Sequence, residues 1–441
     1  MAELSLTWSI LIIIAAILIL LASGMLIALA MGLIGIALIL ISGGSLASLG
    51  VLGLLQYNVV GDNFALVSLP LFIFMGYLVL EVGLAERIYD GSIGIVGAIP
   101  GGLLHANILS CAIFAAMCGS SVATAAALGA IAIPLEIDRH KYPPRPVLGS
   151  VAAGGTLGIL IPPSVTFIAY GVFVGESIGQ LFAAGIIPGI ILACIFMAYI
   201  FVAAVINPAT AGPRLRFSLK KALSGLATMW SALLLIGLII ATIYLGFATP
   251  TEAAAVGCVI AAAIGFGYRR LTFTAVRKAA MASLYTTSFM ILLIVTAQIV
   301  SLGLSSLEIP QRITAAIVEA GINKAVLFSL IVVMYLILGC FLEPGSMLFL
   351  TLPIVYPLMT GLGFSSIWLG VIMVILVEIA NVTPPVGFNL FVIQGISGGR
   401  PMDDVVMGII PYFCCMLLMV ALLYVFPELA TWLPNYLFRQ G

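Results

Sequence analysis

Charge is what this chain lacks most. Of its 441 residues only 7% are Asp, Glu, Lys or Arg, against roughly a quarter in ordinary soluble domains. With 63% hydrophobic residues, apolar stretches recur from Leu4 to Leu433. They are enough for around ten membrane spans and leave no room for a sizeable soluble domain. Basic and acidic residues number 16 each and no basic run occurs, so nothing resembles a nucleic-acid-binding patch. There are two histidines, His105 and His140, far apart, and no acid near His105 to orient it against Ser110 or Cys111, which speaks against a nucleophilic enzyme site. No Gly-rich phosphate loop ending in Gly-Lys-Ser/Thr is present, so the chain itself is no ATPase and must draw energy from an ion gradient or another subunit. The seven cysteines contain no Cys-x-x-Cys pair, and the adjacent Cys414 and Cys415 are badly placed to bridge, so they read as small apolar packing residues. No Lys or Arg precedes the apolar run Ser9 to Leu21, which reads as a retained helix rather than a signal peptide.

What the chain does have is a repeated break. Pro162-Pro163 and Pro384-Pro385 each interrupt an apolar stretch, and each is followed at nearly the same distance by Gly-Ile-Ile-Pro, at Gly185 to Pro188 and Gly408 to Pro411. Proline has no N–H to donate and displaces the carbonyl four residues back, so the pairs free the carbonyls of Gly158 and Ile159, or of Ala380 and Asn381. Two interrupted helices at matching places in two halves are the sequence pointer to a solute-binding site at the middle of a bilayer.

Lys and Arg gather in three short loops, Glu136 to Pro146, Pro213 to Lys221 and Tyr268 to Lys278, which the positive-inside rule places in the cytoplasm. From that parity, Leu103 to Leu135, interrupted at Gly119-Ser120-Ser121, predicts a hairpin open to the cytoplasm. Lys324 to Thr360, interrupted at Glu343 to Ser346, predicts one open to the outside. The second double proline is crossed in the opposite direction from the first. The fold class is therefore an all-α polytopic membrane protein with an inverted repeat, two re-entrant hairpins and two broken helices. It divides into N-terminal scaffold helices (1–90), a first repeat (91–206), central scaffold helices (207–279), a second repeat (280–412) and a C-terminal helix end (413–441). Glu3, the only charge before Asp62, fits an N-terminus outside.

A small hard cation such as sodium needs several oxygens, which carbonyls and hydroxyls supply without a buried carboxylate. One such set is Gly119, Ser120, Ser121 and Thr124 with Thr156, Gly158, Ser164 and Thr166. The other is Gly345, Ser346, Asn381, Thr383, Gly387 and Asn389. The same residues also suit close helix packing and hydrogen bonds back to their own backbone. Of the acids in or beside apolar stretches, Glu81, Glu252, Glu343 and Glu378, the last two are candidate proton relays, and the first two also fit helix ends.

Six stretches, Ser68 to Gly76, Pro100 to Leu103, Gly119 to Ala125, Leu157 to Ser164, Ala248 to Ala255 and Thr383 to Phe391, together resemble the large membrane subunit of tripartite ATP-independent periplasmic (TRAP) transporters, in order through nearly the whole chain. The resemblance implies an elevator-type secondary transporter in a bacterial inner membrane. It would take up a small organic acid with sodium as the coupling ion and no other cofactor. A periplasmic binding protein would deliver the acid, and a small four-helix membrane subunit on a separate chain would assist. Carried over by motif, one sodium site comprises Gly119, Ser120, Ser121, Thr156 and Gly158, and the other Gly345, Ser346, Asn381, Thr383 and Gly387. Ser120, Ser121, Ser164, Thr383 and Asn389 would contact the substrate. The Gly-Tyr usual after the first hairpin is replaced by His140-Lys141-Tyr142. The alternative is an ion- or proton-coupled transporter working without a binding protein.

Overall fold

The computed structural model describes residues 6–42, 50–210, 212, 218–384 and 387–438, and it is all-helical, with no strand among the described residues. Glu3, Arg214 and Arg216 of the second basic loop, and Pro385 lie outside the described residues.

After helices Leu6–Ala22 and Ile27–Ile41, one order of elements occurs twice. A continuous helix (Ser68–Glu81, then Phe273–Ser306) leads to a short amphipathic helix (Leu84–Val96, then Ile309–Glu319). A helical hairpin follows, with arms Leu103–Cys118 and Ser121–Ile133 in the first repeat and Lys324–Leu338 and Pro344–Gly361 in the second. Next comes a broken helix, Pro144–Thr156 with Val165–Val174, then Ser366–Asn381 with Phe388–Ile396. A second continuous helix closes each repeat, Ile178–Ile206 and Met402–Val425, and the two Gly-Ile-Ile-Pro motifs fall inside these, at Pro188 and Pro411. Between the repeats, Leu219–Thr228 bends by 59° into Trp230–Tyr244, and Pro250–Gly267 follows.

Six helices among the described residues are long and apolar enough to cross a membrane, seven with the bent pair counted as one. That is fewer than the roughly ten apolar stretches suggest, because the hairpins and broken helices divide several stretches into shorter pieces. The breaks carry the expected chemistry. Ser120 caps Ser121–Ile133 by accepting from Ala123 N, and Ser164 caps Val165–Val174 by accepting from Phe167 N. Glu252 completes a capping box with Thr249 at the start of Pro250–Gly267, a helix-end role.

Three boundaries differ from the sequence reading. The hairpin arm continues as a π-helical turn, Pro134–Arg139, so Glu136 is fully buried rather than part of a solvated loop. Residues 273–278 of the third basic loop form the first turns of the Phe273–Ser306 helix, capped by Thr272. The helix Met402–Val425 runs unbroken through position 413, and a separate helix, Glu428–Phe438, follows.

The hairpins and broken helices of the two repeats pack into one unit. The arm Ser121–Ile133 touches both its own broken helix and Phe388–Ile396 of the other repeat. Pro144–Thr156 crosses Met402–Val425 at Gly149 and Gly408, where the backbones meet so closely that a Cβ on either residue would collide with the other chain segment. The Trp368 indole N–H donates to Leu423 O at 2.8 Å, and Phe173 lies 6.0 Å from Phe349 between ring centroids. At one end of this unit Arg145 pairs with Asp404 at 2.8 Å and Arg400 with Asp138 at 2.6 Å, each joining the repeats. Against the unit stand the continuous helices Ser68–Glu81 and Phe273–Ser306, which pack on one another. Ile27–Ile41 packs on Phe273–Ser306, and Pro250–Gly267 on Ser68–Glu81.

Candidate transport site

The hairpin tips and the breaks meet at a cavity of about 380 Å³. Gly119 to Ala123 form one wall, Ile159, Val165 and Thr166 a second, and Glu343, Pro344 and Phe388 a third. The facing wall comes from the continuous helices: Ile73 and Tyr77 on one, Tyr285, Thr286, Phe289 and Met290 on the other, with Tyr77 and Thr286 joined through their hydroxyls at 3.0 Å. The volume suits a small molecule, and the lining is mainly apolar with a few convergent polar groups.

Four helices of nine or more residues begin at this cavity, at Ser121, Val165, Pro344 and Phe388. Each N-terminus carries unpaired N–H groups and the positive end of the helix dipole. One of the four is neutralised from within, because the Glu343 carboxylate accepts from Gly345 N at 3.0 Å and from Ser346 N at 2.5 Å. The other three leave a field that favours an anion.

The residues picked out by sequence divide into three groups. Gly119, Ser120 and Ser121 line the cavity. Gly119 ends the first arm at φ +64°, a left-handed turn that favours glycine. Gly158 lies directly behind the tip: a Cβ there would stand 2.7 Å from Ser120 O and from Ser121 Cα, so only glycine lets the break approach the hairpin.

A second group spends its hydroxyls locally. Thr156 Oγ1 donates to Ala153 O at 2.6 Å, Ser164 Oγ to Ile159 O at 2.5 Å, and Thr383 Oγ1 to Ile379 O at 2.7 Å. Ala380 O, one of the carbonyls freed by the second proline pair, accepts from Thr383 N at 3.2 Å. Thr156, Ser164 and Thr383 do not line the cavity.

The third group is buried with polar atoms that have no hydrogen-bond partner among the described residues. It comprises Ser346 Oγ, both side-chain polar atoms of Asn389, and both carboxylate oxygens of Glu378. Gly345 and Asn381 lie buried in the same second set, and Gly387, at φ +42°, starts the helix that carries Asn389. Asn381 Nδ2 donates to Ser121 Oγ at 3.4 Å, which brings the first tip and the second break together.

One buried polar network escaped the sequence reading. Glu136 Oε1 accepts from Tyr89 Oη at 2.6 Å on the amphipathic helix, and Asn107 Nδ2 donates to Ser150 Oγ at 2.9 Å close by. Its only sequence signal is an acid one turn beyond an apolar arm, which the neighbouring basic residues disguised. Among the described residues no group of three or more His, Cys, Asp or Glu side chains forms a metal cluster.

Residues 14–429 match the family described as tripartite ATP-independent periplasmic transporter, DctM component. The chain is 36% identical over 378 residues to the C4-dicarboxylate TRAP transporter large permease protein DctM of Pseudomonas aeruginosa, covering 85% of this chain and 87% of that protein. It is 32% identical over 386 residues to the sialic acid TRAP transporter large permease protein SiaM of Vibrio cholerae, covering 86% and 88%. Its fold is similar to that of the Alcanivorax borkumensis YdaH transporter, with a TM-score of 0.59 at 16% identity over 85% of this chain and 87% of the other.

Proposed function

Because the chain belongs to the DctM component family of TRAP transporters, multi-pass membrane proteins that move solutes, we propose that it drives sodium-coupled uptake of a small organic acid handed over by a periplasmic binding protein. The observation that carries this reading is the convergence of four helix N-termini on one cavity of about 380 Å³, three of them without a capping carboxylate. Such ends favour carboxylate groups, as at other membrane sites built from half-helices. The apolar remainder of the lining suits the carbon skeleton. The two relatives are named for C4-dicarboxylates and for sialic acid, both organic acids, which supports the same class here.

Sodium enters this reading through the oxygen-rich sets around the tips. Gly119, Ser120, Ser121, Thr156 and Gly158 would supply one ion, and Gly345, Ser346, Asn381, Thr383 and Gly387 the other. Substrate contacts would come from Ser120, Ser121 and Asn389, with Ser164 and Thr383 fixing the shape of the breaks. Thr156 and Thr383 would take part in the ion sites through their carbonyls, because their hydroxyls are already donated to the backbone. The unit of hairpins and broken helices would travel as a body against the wall formed by Ser68–Glu81 and Phe273–Ser306, exposing the cavity to each side in turn. A small membrane subunit on a separate chain would complete the transporter in a bacterial inner membrane, in keeping with the relatives' designation as large permeases.

Reconstitution into proteoliposomes with the small subunit and the binding protein tests the proposal. Uptake of a carboxylic acid should require both an inward sodium gradient and the binding protein. Uptake that continues in sodium-free buffer on a proton gradient alone would overturn the coupling. Uptake indifferent to the binding protein would favour a transporter that works without one.

A further inference from the structure

Among the described residues, one side-chain hydrogen bond joins the wall formed by Ser68–Glu81 and Phe273–Ser306 to the unit of hairpins and broken helices. Gln298, on the second wall helix, donates from Nε2 to Phe173 O at 2.7 Å. Phe173 is the last residue but one of Val165–Val174, the second half of the first broken helix. The final carbonyls of a helix find no N–H within it. The turn that follows gives both Gly175 N and Glu176 N to Gly171 O and brings no backbone N–H to Phe173 O. Phe173 is buried, so an amide from the wall takes the place that water would hold at an exposed helix end.

The second repeat ends its broken helix differently. Beyond Phe388–Ile396, Ser397 gives both its N–H, at 3.2 Å, and its hydroxyl, at 2.8 Å, to Gln394 O, and Arg400 donates to Ser397 O. These donors all belong to the unit itself, and Arg400 is also paired with Asp138 at the base of the first hairpin. Such carbonyls keep their partners wherever the unit stands. The other wall helix, Ser68–Glu81, carries no Asn or Gln with which to repeat the Gln298 contact. An inverted repeat offers two related positions against the wall, and only the one seen here is fastened to it through Gln298.

The parity of the basic loops would put this end of the helices outside. There Phe72 of the wall also packs edge-on against Phe182 of the unit, with ring centroids 5.8 Å apart. We propose that Gln298 is a latch that favours the state shut to the outside, because it supplies the end of the first broken helix with a donor that stays behind when the unit moves. This inference rests on the moving-unit reading above and adds to it a residue that sets the balance between the two states. Opening to the outside parts Phe173 O from Gln298, and water at the opened face takes over. The net contribution of one such bond corresponds to roughly two- to tenfold in the ratio of the states.

The test follows Cys118, which lines the cavity on the first hairpin, as the sole cysteine of the full-length chain in membranes with the partner subunits present. Its reaction with a membrane-impermeant maleimide is timed in right-side-out cells and in inside-out vesicles, with and without sodium and a transported carboxylic acid. In Gln298→Leu the outside rate should rise roughly two- to tenfold while the inside rate falls. Gln298→Asn, whose amide is one methylene shorter, should move both rates the same way, and it decides the matter if Gln298→Leu is not recovered folded. Unchanged rates in the variants, with a wild type whose two rates respond oppositely to sodium and acid, would overturn the latch and leave the moving unit intact. A rise on both sides together with a lower melting temperature would mean that Gln298 only packs the fold, and would overturn the latch as well. If Cys118 of the wild type reacts from one side alone under every condition, the moving-unit reading fails and the latch fails with it.

Discussion

Asn381 Nδ2 donates to Ser121 Oγ across 3.4 Å, so the break of the second repeat is held against the hairpin tip of the first. By sequence these two residues fall in different ones of the two oxygen-rich sets proposed to hold sodium. In the fold they are neighbours, which makes the two sets one connected structure rather than two separate cages.

That contact predicts energetic coupling. Ser121→Ala and Asn381→Ala should each raise the sodium half-saturation, and the double variant should be little worse than the poorer single, because each substitution already breaks the shared bond. A double-mutant cycle on sodium-induced stabilisation should return a coupling of about 0.5–1.5 kcal/mol. Strict additivity would mean that the two sets act independently.

The hydroxyls of Ser164 and Thr383 predict the opposite behaviour. Ser164 Oγ donates to Ile159 O and accepts from Phe167 N, and Thr383 Oγ1 donates to Ile379 O. Ser164→Ala should cost about 1–2 kcal/mol of stability through the lost cap and an unsatisfied buried carbonyl. Thr383→Val should cost less, because the carbonyl it leaves keeps its helical partner. Both should retain near-normal sodium half-saturation. A large rise in half-saturation with unchanged melting temperature would instead make these hydroxyls direct ligands.

The paired breaks were legible in sequence because proline and glycine act locally: a missing N–H or a left-handed turn forces the same interruption whatever surrounds it. Gly119, Ser120 and Pro162 announce their tips for that reason. What sequence could not show is which side-chain oxygens are spent on their own backbone. Thr156, Ser164 and Thr383 look like ligands in a list of hydroxyls, and their partners three to five residues back appear only once the turn is built. The pairing of Asn381 with Ser121 was equally hidden, since it depends on a chain separation of 260 residues. Glu136 was misplaced because the nearby Arg139 and Lys141 suggest solvent, whereas the arm carries the acid inward before turning.

The ion pair between Arg400 and Asp138 places the end of the second broken helix beside the end of the first hairpin. By the positive-inside rule, the basic composition of that first loop would place both in the cytoplasm. Single cysteines at positions 139 and 400, in a background from which exposed Cys194 and Cys414 have been removed, should react with a membrane-impermeant maleimide only in inside-out vesicles. A cysteine at Glu308 should react only in right-side-out cells. Labelling of positions 139 and 308 from the same side would break the inverted parity on which the alternating-access reading depends.

Lys141 offers a test of the backbone alone. It adopts φ +58°, a left-handed conformation that costs a side-chain-bearing residue about 1 kcal/mol and glycine almost nothing. It stands just before Tyr142, whose ring is buried and whose hydroxyl accepts from Leu103 N at 3.3 Å, so the turn it makes closes the base of the first hairpin. Lys141→Gly should therefore stabilise the purified protein slightly, by at most about 0.5 kcal/mol, once the extra entropy of the unfolded glycine, about 0.4–1 kcal/mol, is subtracted. Gly119→Ala should do the reverse, because φ there is +64° and a Cβ would press on Pro163 O at 3.2 Å and Val165 Cγ2 at 3.1 Å. Thermal unfolding of both variants in one detergent checks the pair. If Lys141→Gly lowered the melting temperature, the lysine side chain would be contributing more to the turn than its backbone conformation costs.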